Sequence, residues 1–362
     1  MYKSRCLLIP LTFVCLSLIG CGSGSNDQDD FVPEKPFIPI FTELGLAGHK
    51  IEKMLKVNDQ LIALTDQGIH RFGAQWQALT DTRYHVLDMA IVSDTHWIAS
   101  VEKNSHAFFI ESLDAGTTWQ LLDDNFGGAN SHGDTDLLEV ARTLVYDSEN
   151  QKLYATGRNV LASSSDFARS WTVEEGAWGA MASGLGALLV HQQKPDVWYG
   201  GQNAIENPVL DQFNTDSFAL TMHGQAITEH LPSPSVIYQI LVDPKNSERI
   251  IASGEGGIVH SNDYGETWLP LLTDQNYRFH YSPVFDPNNP NTLYTAGWNK
   301  GDDFQPLILE VSQDNGQSWQ AYPYEKDRFE GGVRTMLAVD ESGKTVLYIG
   351  LYRNGVVKVS VE

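Results

Sequence analysis

The sequence predicts an all-β protein whose short strands form a single seven-bladed β-propeller. Two observations lead to this prediction. An octapeptide that ends in Trp recurs along the chain, and its copies are about 50 residues apart, with one double gap. A period of 40–50 residues built from short strands is typical of a propeller blade. The composition, 42% hydrophobic and 19% charged, is that of a globular chain.

The octapeptide predicts a hairpin turn between the third and fourth strands of a blade. Its four copies read SLDAGTTW, SSDFARSW, SNDYGETW and SQDNGQSW. The Asp carboxylate can accept backbone N–H groups inside the turn, and the Gly can adopt positive φ. The Trp can bury its ring between neighbouring blades and donate its N–H. The Asp residues are therefore interpreted as structural rather than catalytic or metal-binding: Asp114, Asp166, Asp263 and Asp314.

Each repeat begins with an apolar strand that ends near Asp, followed by a turn and a second strand that ends in small residues. Seven units are counted, although six or eight remain alternatives: about 48–80, 86–122, 139–174, 183–222, 235–271, 279–322 and 332–360. The first has a degenerate octapeptide and the fourth has lost it. The last stops after three strands, so we expect the N-terminal segment 36–44 to supply its outer strand. Such closure leaves no exposed sheet edge.

The octapeptide resembles the BNR/Asp-box repeat of the sialidase-like propeller superfamily, from about residue 40 onward. In repeat type and length, the chain also resembles photosystem II stability/assembly factor-like and WD40/YVTN/BNR-like repeat proteins. The resemblance implies the propeller fold. It also implies one of two roles, either a non-enzymatic binding module or a glycoside hydrolase.

The N-terminus is interpreted as a processing signal over residues 1–20, because Lys3 and Arg5 precede an apolar run too short for a comfortable membrane span. The sequence Leu-Ile-Gly-Cys that ends at Cys21 resembles the lipobox of bacterial lipoproteins, which implies cleavage before Cys21 and its lipidation. An ordinary secretory signal or an uncleaved anchor helix are the alternatives.

Residues 21–36 are then the lipidated Cys and a flexible linker, and residues 37–362 are the propeller domain. The residue after Cys21 is Gly22 rather than Asp, and by resemblance to enteric sorting rules this favours the outer membrane, facing the periplasm or the cell surface.

The formal net charge of −22 repels phosphate backbones and anionic headgroups, so we expect no nucleic acid or lipid-headgroup partner. The cysteines are Cys6, Cys15 and Cys21, so the mature domain has no thiol catalyst and no disulfide. We expect a monomer that needs no cofactor and no metal, holds an envelope protein or glycan, and meets the membrane only through its lipid.

The loops after the second and fourth strands of each blade meet on one face, and they are long and polar here. Such loops form the binding surface of a scaffold more often than its strands do. The candidate ligand-binding residues on them are His132, Asp134, Asp136, Trp178, Glu206, Arg278, His280, Trp298, Glu330 and Arg334.

Enzymatic activity stays uncertain at this point, and no catalytic residue is assigned. Glycoside hydrolysis requires a pair of carboxylates, which Asp134, Asp136, Glu206 and Glu330 could supply. However, no Arg-Ile-Pro motif of the sialidase type occurs, and Arg is scarce. We therefore favour a lipid-anchored binding or assembly scaffold, with a glycoside hydrolase as the alternative.

Overall fold

The computed structural model describes residues 37–128, 138–275 and 277–361, and Ile38–Glu362 group into one compact unit. The strands of this unit form seven antiparallel sheets arranged as a β-propeller, which confirms the predicted fold and blade number. The predicted signal peptide, Cys21 and the linker lie outside the described residues. Within the described ranges, no helix has the length and apolar character needed to cross a membrane.

Each blade has four strands, numbered here from the channel outward. Blade one contains β2 (Ile51–Val57), β3 (Gln60–Thr65), β4 (Gly68–Phe72) and β5 (Trp76–Ala78). Blade two contains β6 (His85–Ile91), β7 (Trp97–Lys103), β8 (His106–Ser112) and β9 (Gln120–Leu121). Blade three contains β10 (Thr143–Asp147), β11 (Lys152–Thr156), β12 (Val160–Ser164) and β13 (Thr172–Gly176). Blade four contains β14 (Gly184–Val190), β15 (Asp196–Gln202), β16 (Pro208–Asn214) and β17 (Leu220–Met222).

Blade five contains β18 (Ile237–Asp243), β19 (Asn246–Gly254), β20 (Gly257–Ser261) and β21 (Leu269–Thr273). Blade six contains a split inner strand, β22 (Arg278–His280) and β23 (Val284–Phe285), then β24 (Leu293–Asn299), β25 (Leu307–Ser312) and β26 (Gln320–Tyr324). Blade seven contains β27 (Val333–Asp340), β28 (Thr345–Leu351), β29 (Val356–Val361) and β1 (Pro39–Gly45).

The ring closes through the two ends of the domain, as the sequence predicts. Strand β1 pairs antiparallel with β29, from Pro39 opposite Val361 to Gly45 opposite Val356. Since β29 would otherwise be the open edge of blade seven, this pairing satisfies its outward backbone groups.

Two local features differ from the sequence-based expectation. The inner strand of blade six already includes Arg278 and His280, which were expected on a loop, and it is interrupted before Pro283, which has no backbone N–H to donate. After blade four, a short helix α1 (Gly224–Thr228) replaces the expected loop, and its Ile227 is buried in the core between blades four and five.

The four octapeptide turns have the hydrogen bonds that the pattern predicts. In the turn of blade five, Asp263 accepts from the backbone N–H of Thr267 at 2.8 Å and from the hydroxyl of Ser261 at 2.7 Å. Ser261 in turn accepts from the N–H of Gly265 at 2.7 Å. These bonds depress the pKa of Asp263 to about 2, with the Thr267 hydroxyl as the largest cause. Equivalent bonds recur at the other three Asp residues: Asp114, Asp166 and Asp314.

The tryptophans of these turns join successive blades. Trp171 of blade three stacks on Phe109 of blade two, with ring centroids 5.1 Å apart. Trp319 of blade six donates its N–H to the carbonyl of Leu271 in blade five at 3.1 Å. The apolar core therefore lies between the sheets, and each octapeptide contributes one large ring to it.

Blade four closes the same turn without an octapeptide. Asn214 at the end of β16 accepts backbone N–H groups from Asp216 at 3.2 Å and Ser217 at 2.9 Å. Its amide donates to Asp196 at 2.9 Å. An Asx-type turn therefore replaces the motif that the sequence has lost.

Candidate functional site

The two faces of the propeller have different loops. The octapeptide turns lie on one face with the turns after the first strands, since the N–H of Tyr264 bonds the carbonyl of Glu248 at 2.9 Å. The other face, here called the top face, carries the loops after the second and fourth strands. The inner strands begin there, so their first residues surround the entrance to the central channel.

A cavity of about 390 Å³ occupies this end of the channel, and all seven inner strands or their entry residues line it. Its charged residues are few and come from four blades: Glu52, Lys53, Asp88, Arg142 and Arg334. Tyr238 and Tyr281 stack on one another at 4.0 Å between ring centroids, and the guanidinium of Arg334 lies 4.7 Å from the Tyr281 ring. This is a cation–π arrangement that fixes the Arg side chain.

Glu52 is the anionic centre of the channel wall. Its carboxylate contacts Arg334 at 3.0 Å, His85 at 2.7 Å and Lys50 at 2.6 Å. Burial would by itself raise the pKa of Glu52, but the hydrogen bond from His85 and the charges of Arg334 and Lys50 hold it well below its usual value. Glu52 is therefore an ionised anchor for three cationic groups rather than a proton donor.

Arg278 and His280 were expected in a loop at the mouth, and that expectation is wrong. Both lie on β22 and are buried, His280 completely. Arg278 contacts Asp274 at 2.6 Å, and His280 contacts the same carboxylate at 3.1 Å. Both residues pair with β24 within the sheet of blade six, where their charges require partners.

The same group is the one cluster among the described residues whose donor atoms could surround a metal: Asp274, His280 and Glu310. Its chemistry does not favour a metal, because the guanidinium of Arg278 already lies 2.6 Å from Asp274 and 3.5 Å from Glu310. A cationic side chain therefore stands where a metal ion would need to be. We interpret the cluster as a structural ion-pair network.

A second cavity, of about 260 Å³, opens on the top face between blades six and seven. We call it the aromatic pocket, and its lining residues are Trp298, Gly301, Asp302, Asp303, Glu330, Gly332, Tyr352 and Arg353. Trp298 stacks between Phe279 and Tyr352, with centroid separations of 5.7 and 5.1 Å. Gly332 makes this stack possible, since a Cβ there would lie 2.2 Å from the Trp298 ring.

The loops around the aromatic pocket are held by backbone bonds. Gln305 is buried, and its N–H donates to the carbonyl of Phe329 at 2.9 Å, while Gly331 donates to the carbonyl of Gln305 at 2.9 Å. These bonds hold Glu330, which lies between them, at the rim. Arg353 pairs with Asp303 at 2.8 Å. The pocket is therefore preformed, with more carboxylates than cations.

The remaining sequence candidates are dispersed. Arg334 lines the channel and Trp298 and Glu330 share the aromatic pocket, as just described. Trp178 packs on Phe126 at 4.6 Å, in the core between blades two and three. Glu206 is exposed at the tip of a blade-four loop and lines neither cavity. His132, Asp134 and Asp136 lie outside the described residues.

Sequence reasoning missed most of the residues that line these cavities, among them Tyr352, Glu52 and Arg142. Tyr352 lies in the loop after the second strand of blade seven, where the repeat register could have indicated it. Glu52 and Arg142 lie at the starts of inner strands, and the same register places those positions at the channel.

No family model and no curated protein matches the sequence. Solved structures do match the fold. The structure "YCF48 bound to D1 peptide" superposes with a TM-score of 0.58 at 16% identity, over 91% of this chain and 98% of that one. A component of the mitotic checkpoint complex superposes with a TM-score of 0.61 at 11% identity, over 96% and 98%.

The GH74 xyloglucanase from Xanthomonas campestris superposes with a TM-score of 0.62 at 14% identity, over 88% of this chain. This chain spans only 54% of that enzyme. Identities this low show the propeller fold alone, and the fold hosts both binding proteins and glycoside hydrolases.

Proposed function

We propose that this protein is a non-enzymatic binding module that holds a protein partner by inserting one of the partner's basic side chains into the aromatic pocket. The observation that carries the proposal is the stack of Trp298 on Tyr352 beside the carboxylates of Asp302, Asp303 and Glu330. A binding role also agrees with peptide- and protein-bound propellers of the same fold.

The aromatic rings supply the first part of the recognition. Trp298 is covered on both faces by Phe279 and Tyr352, and both Trp298 and Tyr352 are half-buried, so their edges are what a ligand can reach. A Lys or Arg side chain laid against these edges buries its aliphatic stem and brings its cation to the pocket carboxylates. The pocket volume, about 260 Å³, suits one such side chain rather than a whole domain.

The charges supply the second part. Three carboxylates line the pocket and one cation, Arg353, is already paired with Asp303. This leaves Asp302 and Glu330 to meet an incoming cation. The net charge of −22 also attracts basic partners over longer range, which raises the association rate at low salt.

The module is proposed to act in the cell envelope, tethered by lipid on Cys21 through the linker up to residue 36. The support is the sequence pattern around Cys21. Expression of the full chain with radiolabelled palmitate tests it: the wild type incorporates label and Cys21→Ser does not. Label in both proteins, or in neither, contradicts the anchor.

Calorimetric titration with blocked pentapeptides, Gly-Gly-X-Gly-Gly, tests the pocket, with X as Lys, Arg or Gln. We expect the Lys and Arg peptides to bind and the Gln peptide to bind at least tenfold more weakly. Trp298→Ala and Glu330→Gln should each weaken Lys binding at least fivefold. Glu206→Gln is the matched control, because Glu206 lies on the same face outside the pocket. Equal binding of all three peptides, or no effect of either pocket variant, contradicts the proposal.

A glycoside hydrolase is the second candidate, because the aromatic pocket places Glu330, Asp302 and Asp303 beside a tryptophan. Incubation with xyloglucan and with aryl glycosides distinguishes the two functions. We expect no product from the wild type. Product formation that Glu330→Gln abolishes would replace the binding function by the enzymatic one.

A further inference from the structure

The channel cavity carries one more positive than negative charge, in a protein whose net charge is −22. Its cations are Lys53, Arg142 and Arg334, and its carboxylates are Glu52 and Asp88. Lys53 pairs with Asp88 at 2.7 Å, and Arg334 pairs with Glu52 at 3.0 Å. The unbalanced charge therefore resides on Arg142.

The guanidinium of Arg142 forms no hydrogen bond or ion pair with any residue that the structure describes. The nearby carboxylate of Glu139 is fully buried and already accepts the backbone N–H groups of Arg158 at 2.6 Å and Gly179 at 3.0 Å. Loss of hydration inside the channel lowers the pKa of Arg142; the charge of Glu139 opposes this shift, and the charges of Arg158 and Arg334 add to it. A guanidinium that has lost water without gaining a partner favours the binding of an anion.

The inner strand of blade four makes room for this side chain. A Cβ at Gly184 would lie 2.5 Å from the Arg142 Cζ, so the guanidinium packs directly over the glycine backbone, which has a φ of +126°. Two residues further, a Cβ at Gly186 would meet no atom within 4 Å, so this position faces open channel space. Ser183 and Gln202 line the same part of the cavity and offer neutral hydrogen-bond donors.

We propose that the channel is a binding site for a single carboxylate group, held by the Arg142 guanidinium over the Gly184 backbone. A carboxylate matches the two-pronged geometry of the free guanidinium. One excess positive charge balances one negative charge, and the acidic protein around it disfavours phosphate and other multiply charged anions. The carboxylate belongs either to a small free acid or to a Glu side chain of a partner. The site is separate from the aromatic pocket and does not depend on the function proposed for it.

Calorimetric titration of the full-length protein at constant ionic strength tests the site with three probes. Sodium butyrate represents a free acid and has the length of a Glu side chain. The blocked tripeptide acetyl-Ala-Glu-Ala-amide represents a partner side chain, and sodium phosphate tests generic anion binding. We expect butyrate or the tripeptide to bind, and which of them binds identifies the source of the carboxylate. Binding of neither, or phosphate binding of equal strength, overturns the proposal.

Arg142→Gln should weaken carboxylate binding at least tenfold and leave the melting temperature unchanged or higher, since it removes an unpaired charge. Arg142→Lys keeps the positive charge but lacks the planar guanidinium, so its carboxylate affinity should lie between those of the wild type and Arg142→Gln. It serves as the test if the Gln variant fails to fold. Arg83→Gln is the matched control, because Arg83 is exposed and pairs with Asp81 outside the channel. Unchanged affinity in both Arg142 variants, or an equal loss in the Arg83 variant, overturns the proposal.

Discussion

Trp76 of the first blade donates its indole N–H to the carbonyl oxygen of Leu44, 2.9 Å away, and Leu44 belongs to the strand that the N-terminal segment adds to the last blade. The contact therefore spans the point where the two ends of the domain meet. Tyr324 of blade six also reaches this strand, with its ring 5.1 Å from that of Phe41. Closure of the ring rests on side chains from both neighbours as well as on the β1–β29 ladder.

Substitution of Trp76 should weaken this closure. Trp76→Phe keeps a ring but loses the N–H bond, and we expect the free energy of unfolding to fall by about 1 kcal/mol. Trp76→Ala should cost about 2–3 kcal/mol, less than a fully buried Trp, because the side chain is half-buried. Urea denaturation followed by circular dichroism measures both. A larger loss of unfolding free energy for Trp76→Phe than for Trp76→Ala would contradict the assigned hydrogen bond.

The octapeptide turns predict a large effect for one substitution and a small effect for another at the same motif position. Gly265 has a φ of +98°, and a Cβ there would lie 2.8 Å from Trp198 and His223. We expect Gly265→Ala to lower the free energy of unfolding by about 3 kcal/mol through strain and overpacking.

The corresponding residue of blade three is Ala168, which adopts a φ of 69° and is fully buried. Ala168→Gly relieves a strain of about 1–2 kcal/mol and removes a buried methyl worth about 0.8 kcal/mol. The net change should stay within about 1 kcal/mol. Thermal unfolding of Gly265→Ala and Ala168→Gly measures the difference. Comparable losses of stability in the two variants would contradict it.

Asp211 predicts a pH dependence of stability. Desolvation between blades three and four, together with the charge of Glu175, raises the pKa of Asp211 to about 6, although a hydrogen bond with Tyr199 opposes the shift. The native state therefore binds a proton more tightly than the unfolded chain. The stabilisation is fully present below about pH 4 and is lost as the pH rises through about 6, at a cost of about 2–3 kcal/mol.

Asp211→Asn should remove this loss and stabilise the protein at pH 8 relative to the wild type, as urea midpoints across pH 4–8 would record. Asp216→Asn is the control, since Asp216 is exposed on a turn of the same blade. If the wild type instead gains stability relative to Asp211→Asn as the pH rises from 4 to 8, the sign of the pKa shift is wrong.

Gly332 provides a test of the aromatic pocket that alters no charge. Because a Cβ at residue 332 would lie 2.2 Å from the Trp298 ring, Gly332→Ala should displace that ring from Tyr352. We expect at least fivefold weaker binding of the Lys pentapeptide and a shift in tryptophan fluorescence. Gly73→Ala is the control, because the nearest atom to its Cβ is 3.9 Å away. Full binding by the Gly332 variant would exclude the stack as the recognition element.

The amino-acid sequence alone predicted the four-stranded blade and favoured seven of them, with six or eight as alternatives. The octapeptide turn is closed by hydrogen bonds between residues at most four apart, such as Asp263 with Thr267, so the local sequence is enough to predict it. The spacing between the copies then indicates the number of sheets. The last repeat has only three predicted strands, and an open sheet edge is unfavourable, so the sequence also predicted that another segment supplies the fourth strand of blade seven.

Which side chains meet at the top face could be learned from the folded ring alone. Trp298 and Tyr352 lie on adjacent blades, and Glu52 and Arg334 come together only because the ring closes. The burial of Arg278 and His280 came from their place on an inner strand of blade six. Among the described residues, Arg142 has no ion-pair partner, and the nearby carboxylate of Glu139 accepts backbone N–H groups instead. Charge pairing in a closed ring is set by distances between blades, and no local pattern encodes those distances.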